Sequence, residues 1–115
     1  MILHRARGWW PFGDMINKMA SLGEMLLADE ESKDFLLVMF DGSQKISVMV
    51  HRLILKVNSA FFKRTLNSLY QLSYVWIIPE NAFSEAAGVL KYFYTHNKTD
   101  LMDNAMTGVL LAQHK

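Results

Sequence analysis

The chain has 115 residues, 51% of them apolar and 20% charged, enough for one domain with its own core and too short for two. Its 12 basic and 11 acidic residues leave a net charge of +1, so charge implies neither a nucleic-acid nor an acidic-membrane partner. The absence of cysteine excludes disulfides and thiolate metal sites and is compatible with a reducing compartment.

Residues 1–12 read as a basic and aromatic tail, with Arg5 and Arg7 ahead of Trp9-Trp10-Pro11. The two tryptophans either pack back onto the domain or serve as aromatic anchors inserted into a partner, a role in which tryptophan is enriched. The opening MILHRARGWWPFG lacks an apolar h-region and a small-residue cleavage site, so no signal peptide is read and the expected location is intracellular. The longest apolar run, Phe35 to Phe40, is six residues, far below the ~20 that a membrane-spanning helix needs.

The spacing predicts a first helix over 14–28, with Asp14 as N-cap and Ile16, Met19, Leu22 and Leu26 on one face, flanked by Met15 and Met25. Gly23 weakens that helix by roughly 1 kcal/mol relative to alanine, and Asp29-Glu30-Glu31 ends it. Residues 34–40, rich in β-formers, and the alternating 45–50 make a hairpin through Asp41-Gly42. A helical pattern resumes near 51. Ser59 caps a second short helix whose buried face is Phe62, Leu66 and Leu69. Residues 74–79 are a third strand stopped by Pro79. Asn81 then caps a helix with an apolar stripe of Phe83, Ala86, Ala87, Leu90 and Tyr94. Residues 95–100 are a loop, and 102–114 a last helix with Met102, Ala105, Met106 and Val109 inward. The fold class is α+β: a small three-stranded sheet covered by about five helices.

Few residue patterns point to catalysis. The histidines His4, His51, His96 and His114 do not stand at metal-ligand spacing, so no metal site is expected. Phosphate loops and nucleophile elbows are absent, and no cofactor is expected. Lys63-Arg64 and the tail fall short of the extended basic stripe of nucleic-acid binders. The sequon Asn97-Lys98-Thr99 is read as a chance match. His51 is read as a hydrogen-bonded fixture of the strand-to-helix junction, not as a base or ligand. What remains is a non-catalytic interaction domain.

The segments KDFLLVMF and VHRLILKVNSAFFKRTL, in that order, resemble the BTB/POZ family, through Asp34, Val50, His51, Arg52, Leu55, Ser59 and Phe62. Downstream, Phe83, Leu90, Phe93, Tyr94 and Thr95 carry the likeness through the third strand's following helix, and the resemblance spans residues 14–115. It implies a protein-interaction module, dimeric through the first helix, with Met15, Ile16, Met19, Leu22 and Leu26 at the interface together with Trp9 and Trp10 of the tail. It further implies scaffolding, with recruitment of a cullin ligase or a transcriptional co-regulator. Positions Asp34 and Arg52 match a charged pocket of the family, or form a plain ion pair. His51, Leu55, Ser59, Phe62, Phe83, Leu90 and Tyr94 are its structural positions. VHRLIL is similar to the form found in family members of large DNA viruses, which would place the chain within a virion. Three departures stand out. Phe35 replaces the usual valine, the connection 67–73 lacks the hydrophobic-x-Glu element of cullin-binding members, and Lys115 falls before the family's last helices. The expected division is a tail at 1–12 and a domain lacking those helices at 13–115. A second reading makes the chain a structural subunit of a larger assembly, docked through the tryptophans of the tail.

Overall fold

The computed structural model describes residues 22–115. Residues 22–28 are helical (α1) and lead through a 3-10 turn, Glu30–Ser32, into strand β1, Phe35–Phe40. Strand β2, Lys45–Val50, pairs antiparallel with β1, from Phe35 opposite Val50 to Phe40 opposite Lys45. Helices α2, Arg52–Asn58, and α3, Ala60–Thr65, carry the chain to β3, Ser73–Ile77, which lies parallel to β1. The sheet order is therefore β2-β1-β3. Helices α4, Phe83–Thr95, and α5, Ala105–Gln113, complete an α+β fold of five helices and a small mixed sheet.

The two-residue period of β1 decides which way the sheet faces. Phe35, Leu37 and Met39 are buried and point toward the helices, with Val50 of β2 and Trp76 of β3 beside them. Leu55, Phe62, Leu66, Val89, Leu90, Phe93 and Leu110 close the core from the helical side. The hairpin turn is set by Asp41, whose Oδ1 accepts from the amides of Ser43 (2.9 Å) and Gln44 (2.8 Å). Gly42 takes φ +97°, a conformation that favours glycine.

Three sequence expectations about α3 and α4 need correction. Asn81 does not cap α4: it has φ 61°, its amide donates to Asp41 Oδ2 (3.1 Å), and Ala82 occupies the cap position. The hairpin turn therefore holds the start of α4. Ala87 is exposed, and Val89 and Phe93 fill the buried stripe of α4 instead. Leu69 is 81% exposed because α3 ends at Thr65. The Arg52 guanidinium donates to the carbonyls of Leu66 (2.7 Å) and Ser68, holding the chain in its non-helical exit.

The last helix turns a different face inward from the one expected. It starts at Ala105, where Asn104 Oδ1 accepts from the Thr107 amide (3.0 Å), leaving Met102 outside it. Thr107, Leu110 and the capping His114 are buried, Met106 is half-buried, and Ala105 and Val109 are exposed. Ala105–Gln113 contains no charged residue, so hydrophobic periodicity had no polar face to mark.

Candidate functional site

The strand-to-helix junction is built around His51, buried at the N-cap position of α2. Its amide donates to the Tyr94 hydroxyl (2.9 Å), and its Nδ1 lies 2.7 Å from the same oxygen. The hydroxyl thus holds both the backbone and the ring of His51. Nε2 lies 2.6 Å from Ser32 Oγ, which donates to the Asp29 carbonyl (3.3 Å). Every polar group of this relay has a partner. The serine hydroxyl donates to the Asp29 carbonyl and not to the imidazole, so the Ser32–His51 pair is not arranged as an activated nucleophile. Burial pushes the Tyr94 phenol up from its ordinary pKa.

Asp34 and Arg52 sit on either side of this junction, yet their side chains do not pair. Asp34 Oδ1 accepts from the Arg52 backbone amide (2.9 Å), supplying the helix cap that His51 does not. The guanidinium turns to the Leu66 and Ser68 carbonyls. The plain ion pair does not form, and each side chain instead anchors backbone.

A second serine–histidine contact lies at the other end of α2. Ser59 caps α3 by accepting from the Phe62 amide (3.0 Å), and its Oγ lies 2.6 Å from His114 Nδ1. The rings of Phe61, Phe62, Trp76 and Phe93 surround the imidazole, their centroids 5.0–5.8 Å away. Both Ser59 and His114 are buried, and His114 Nε2 has no partner. Desolvation lowers the His114 pKa from 6.5 to about 4. A hydroxyl sealed behind aromatic rings is out of reach of a substrate, so this pair joins α5 to α3 and does not offer a nucleophile.

Leu55 and Phe62 are fully buried, Leu90 and Tyr94 nearly so, and Phe83 is half-buried. Of the expected interface residues, Leu22 is 53% exposed and Leu26 half-buried. Trp9, Trp10, Met15, Ile16 and Met19 lie outside the described residues. Sequence reasoning missed Gly23 as a contact residue. A Cβ built there would stand 1.9 Å from the Tyr94 carbonyl oxygen, so only glycine lets α1 lie this close to α4. It also missed His114 and Ser32, for which no local pattern gives a signal.

The remaining feature is exposed apolar surface. Met25 on α1 is 65% exposed, and Leu53 and Val57 on α2 are 68% and 67% exposed. The α3–β3 connection presents Leu69, Tyr70 and Leu72, and the outer face of the sheet presents Met49, Val75 and Ile77. Among the described residues, no His, Asp or Glu cluster could hold a metal and no helix is long and apolar enough to cross a membrane. The surface suits contact with protein, where apolar anchors provide most of the binding energy.

No curated protein matches this sequence. The family model of the BTB/POZ domain matches residues 24–115. With its α+β architecture and exposed apolar helices, the chain belongs to the BTB/POZ domain family, a family of protein-interaction domains.

Proposed function

We propose that this chain is a non-catalytic module that self-associates through α1 and the exposed face of α2 and holds other proteins in a scaffold. One observation supports this reading above all. Both helices leave large apolar side chains in solvent (Leu22 and Met25 on α1, Leu53 and Val57 on α2), and both meet at Tyr94. Gly23 lies on the Tyr94 carbonyl, while His51, at the start of α2, lies on its hydroxyl. The tail at 1–12 would add Trp9 and Trp10 as anchors, which is also how a structural subunit would dock into a larger assembly. Cullin recruitment has less support, since the connection from Asn67 to Leu72 contains no glutamate.

Sedimentation equilibrium of the full chain tests the reading. A dimer at micromolar concentration is expected, and Met25→Glu with Leu53→Glu should convert it to a folded monomer. A wild-type chain that stays monomeric overturns self-association. Deleting residues 1–12 separates the two modes: dimer kept and assembly lost would favour the structural subunit.

A further inference from the structure

Strand β3 forms one edge of the sheet, paired with β1 on one side only. The Leu36 amide donates to the Leu72 carbonyl (3.0 Å) and the Ile78 amide to the Phe40 carbonyl (2.9 Å), bracketing the parallel ladder. In this register Tyr74 and Trp76 turn their amides and carbonyls toward β1, and Ser73, Val75 and Ile77 turn theirs away from the sheet. Among the described residues, the single partner of those outward groups is Gln71, whose Nε2 donates to the Ser73 carbonyl (3.3 Å).

An open edge is a template for a further strand, and edges are ordinarily guarded by charge, proline or a bulge. The other edge, β2, begins with Lys45, whose ammonium lies over the Phe40 ring (5.4 Å). β3 carries no such guard. From Asn67 to Ile78 the sequence has no charged residue and no proline, and Tyr74 to Ile77 are all strong β-formers. The outer face is apolar as well: Val75 is 46% and Ile77 61% exposed, beside half-buried Val38 and Phe40 of β1.

We propose that β3 pairs antiparallel with β3 of a second copy, about a two-fold axis through Val75. A strand edge is complementary to itself when reversed, so Val75 meets Val75 and Ser73 meets Ile77, each outward amide facing an outward carbonyl. The two valines become cross-strand neighbours, and the two sheets run on into one. A second copy fits this edge because neither strand has a charge to oppose or to leave unanswered. The contact uses no residue of α1 or α2, so it adds a second surface to the self-association proposed above and does not depend on the first. One strand pair buries less than a standard interface, so it acts above the micromolar range, linking dimers into tetramers or longer arrays.

The chain has no cysteine, so single cysteines in the full chain report this register. Val75→Cys places two thiols across the axis, with Cα atoms about 5.5 Å apart, whereas Ile77→Cys places them about 13 Å apart along the strands. A short bifunctional thiol reagent should therefore give covalent dimers of Val75→Cys roughly tenfold faster than of Ile77→Cys, although Ile77 is the more exposed side chain. Val75→Pro removes an outward amide and leaves the ladder to β1 intact. In concentrated solution it should abolish sedimenting species larger than the dimer, with circular dichroism reporting the fold. Equal or faster cross-linking of Ile77→Cys, no cross-linking of Val75→Cys, or larger species that persist in a folded Val75→Pro chain overturns the proposal. With Met25→Glu and Leu53→Glu added, the two cysteines should keep the same order. A wild-type chain that is monomeric at micromolar concentration yet cross-links through Val75→Cys refutes the helical interface and leaves this one standing.

Discussion

Two serine–histidine contacts of the same length sit at the two ends of α2 and behave differently. Ser32–His51 and Ser59–His114 are both 2.6 Å apart. At His51 both ring nitrogens are satisfied, one by Tyr94 and one by Ser32. At His114 one nitrogen is satisfied and the other is buried among aromatic rings without a partner. The first is a polar relay that ties the approach to β1 onto α2 and α4. The second is a neutral imidazole used as a core side chain. The pair of residue types says little, and what surrounds the second nitrogen decides the role.

The comparison can be broken at the aromatic end first. Phe62 is fully buried and stacks at 5.0 Å from the His114 ring. Phe62→Ala should therefore cost about 3–5 kcal/mol in urea unfolding, and a near-neutral result would remove the core register argued above.

Acid is the next lever. The His114 pKa is near 4 in the folded chain against 6.5 without burial, so the unfolded chain binds the proton first as pH falls. Stability from the neutral imidazole is complete above pH 6.5 and is lost as pH falls toward 4, by roughly 2–3 kcal/mol in all. His114→Phe should flatten that part of the pH–stability curve, and an unchanged slope would place the titration elsewhere. Asp41 also has a lowered pKa, through the amides of Gln44, Ser43 and Asn81, and adds acid sensitivity of the same sign as its carboxylate protonates.

At the polar end, Tyr94→Phe leaves the buried His51 amide without its acceptor. A loss of about 1–3 kcal/mol is expected, read as a lower urea midpoint, with earlier hydrogen exchange at Ser32 and His51. An effect smaller than about 0.5 kcal/mol would show that water replaces the hydroxyl and that the relay is not structural. Leu69→Ser sets the baseline. The side chain is 81% exposed, so a change within about 0.5 kcal/mol is expected.

The hairpin, the α2–α3 pair and the interaction-domain family were all legible in residues 33–66. There the first strand is rich in β-formers and KISVMV alternates, Asp41-Gly42 marks the turn, and Ser59 is followed at the cap spacing by Phe62. The tightest contacts were not. Asp34 and Arg52 were read as a charged pocket or a plain ion pair; no ion pair forms, and Asp34 takes the Arg52 backbone amide. Leu69 was placed inward by extending a helical period that the Arg52 guanidinium cuts off. Gly23 read as a local weakness of α1, whereas its value lies in a carbonyl of α4 distant in sequence. For α5, a stretch with apolar residues all round gave no basis for choosing a face.

By itself the sequence determined the order of elements and the absence of cysteine chemistry, because these depend on composition and on residues within a few positions of one another. Only the tertiary structure decided which histidine nitrogen is left alone and which glycine is indispensable. These depend on side chains brought together from distant positions, such as His51 with Tyr94 and Ser59 with His114, whose pairing is set by the packing of the whole core and has no local period to reveal it.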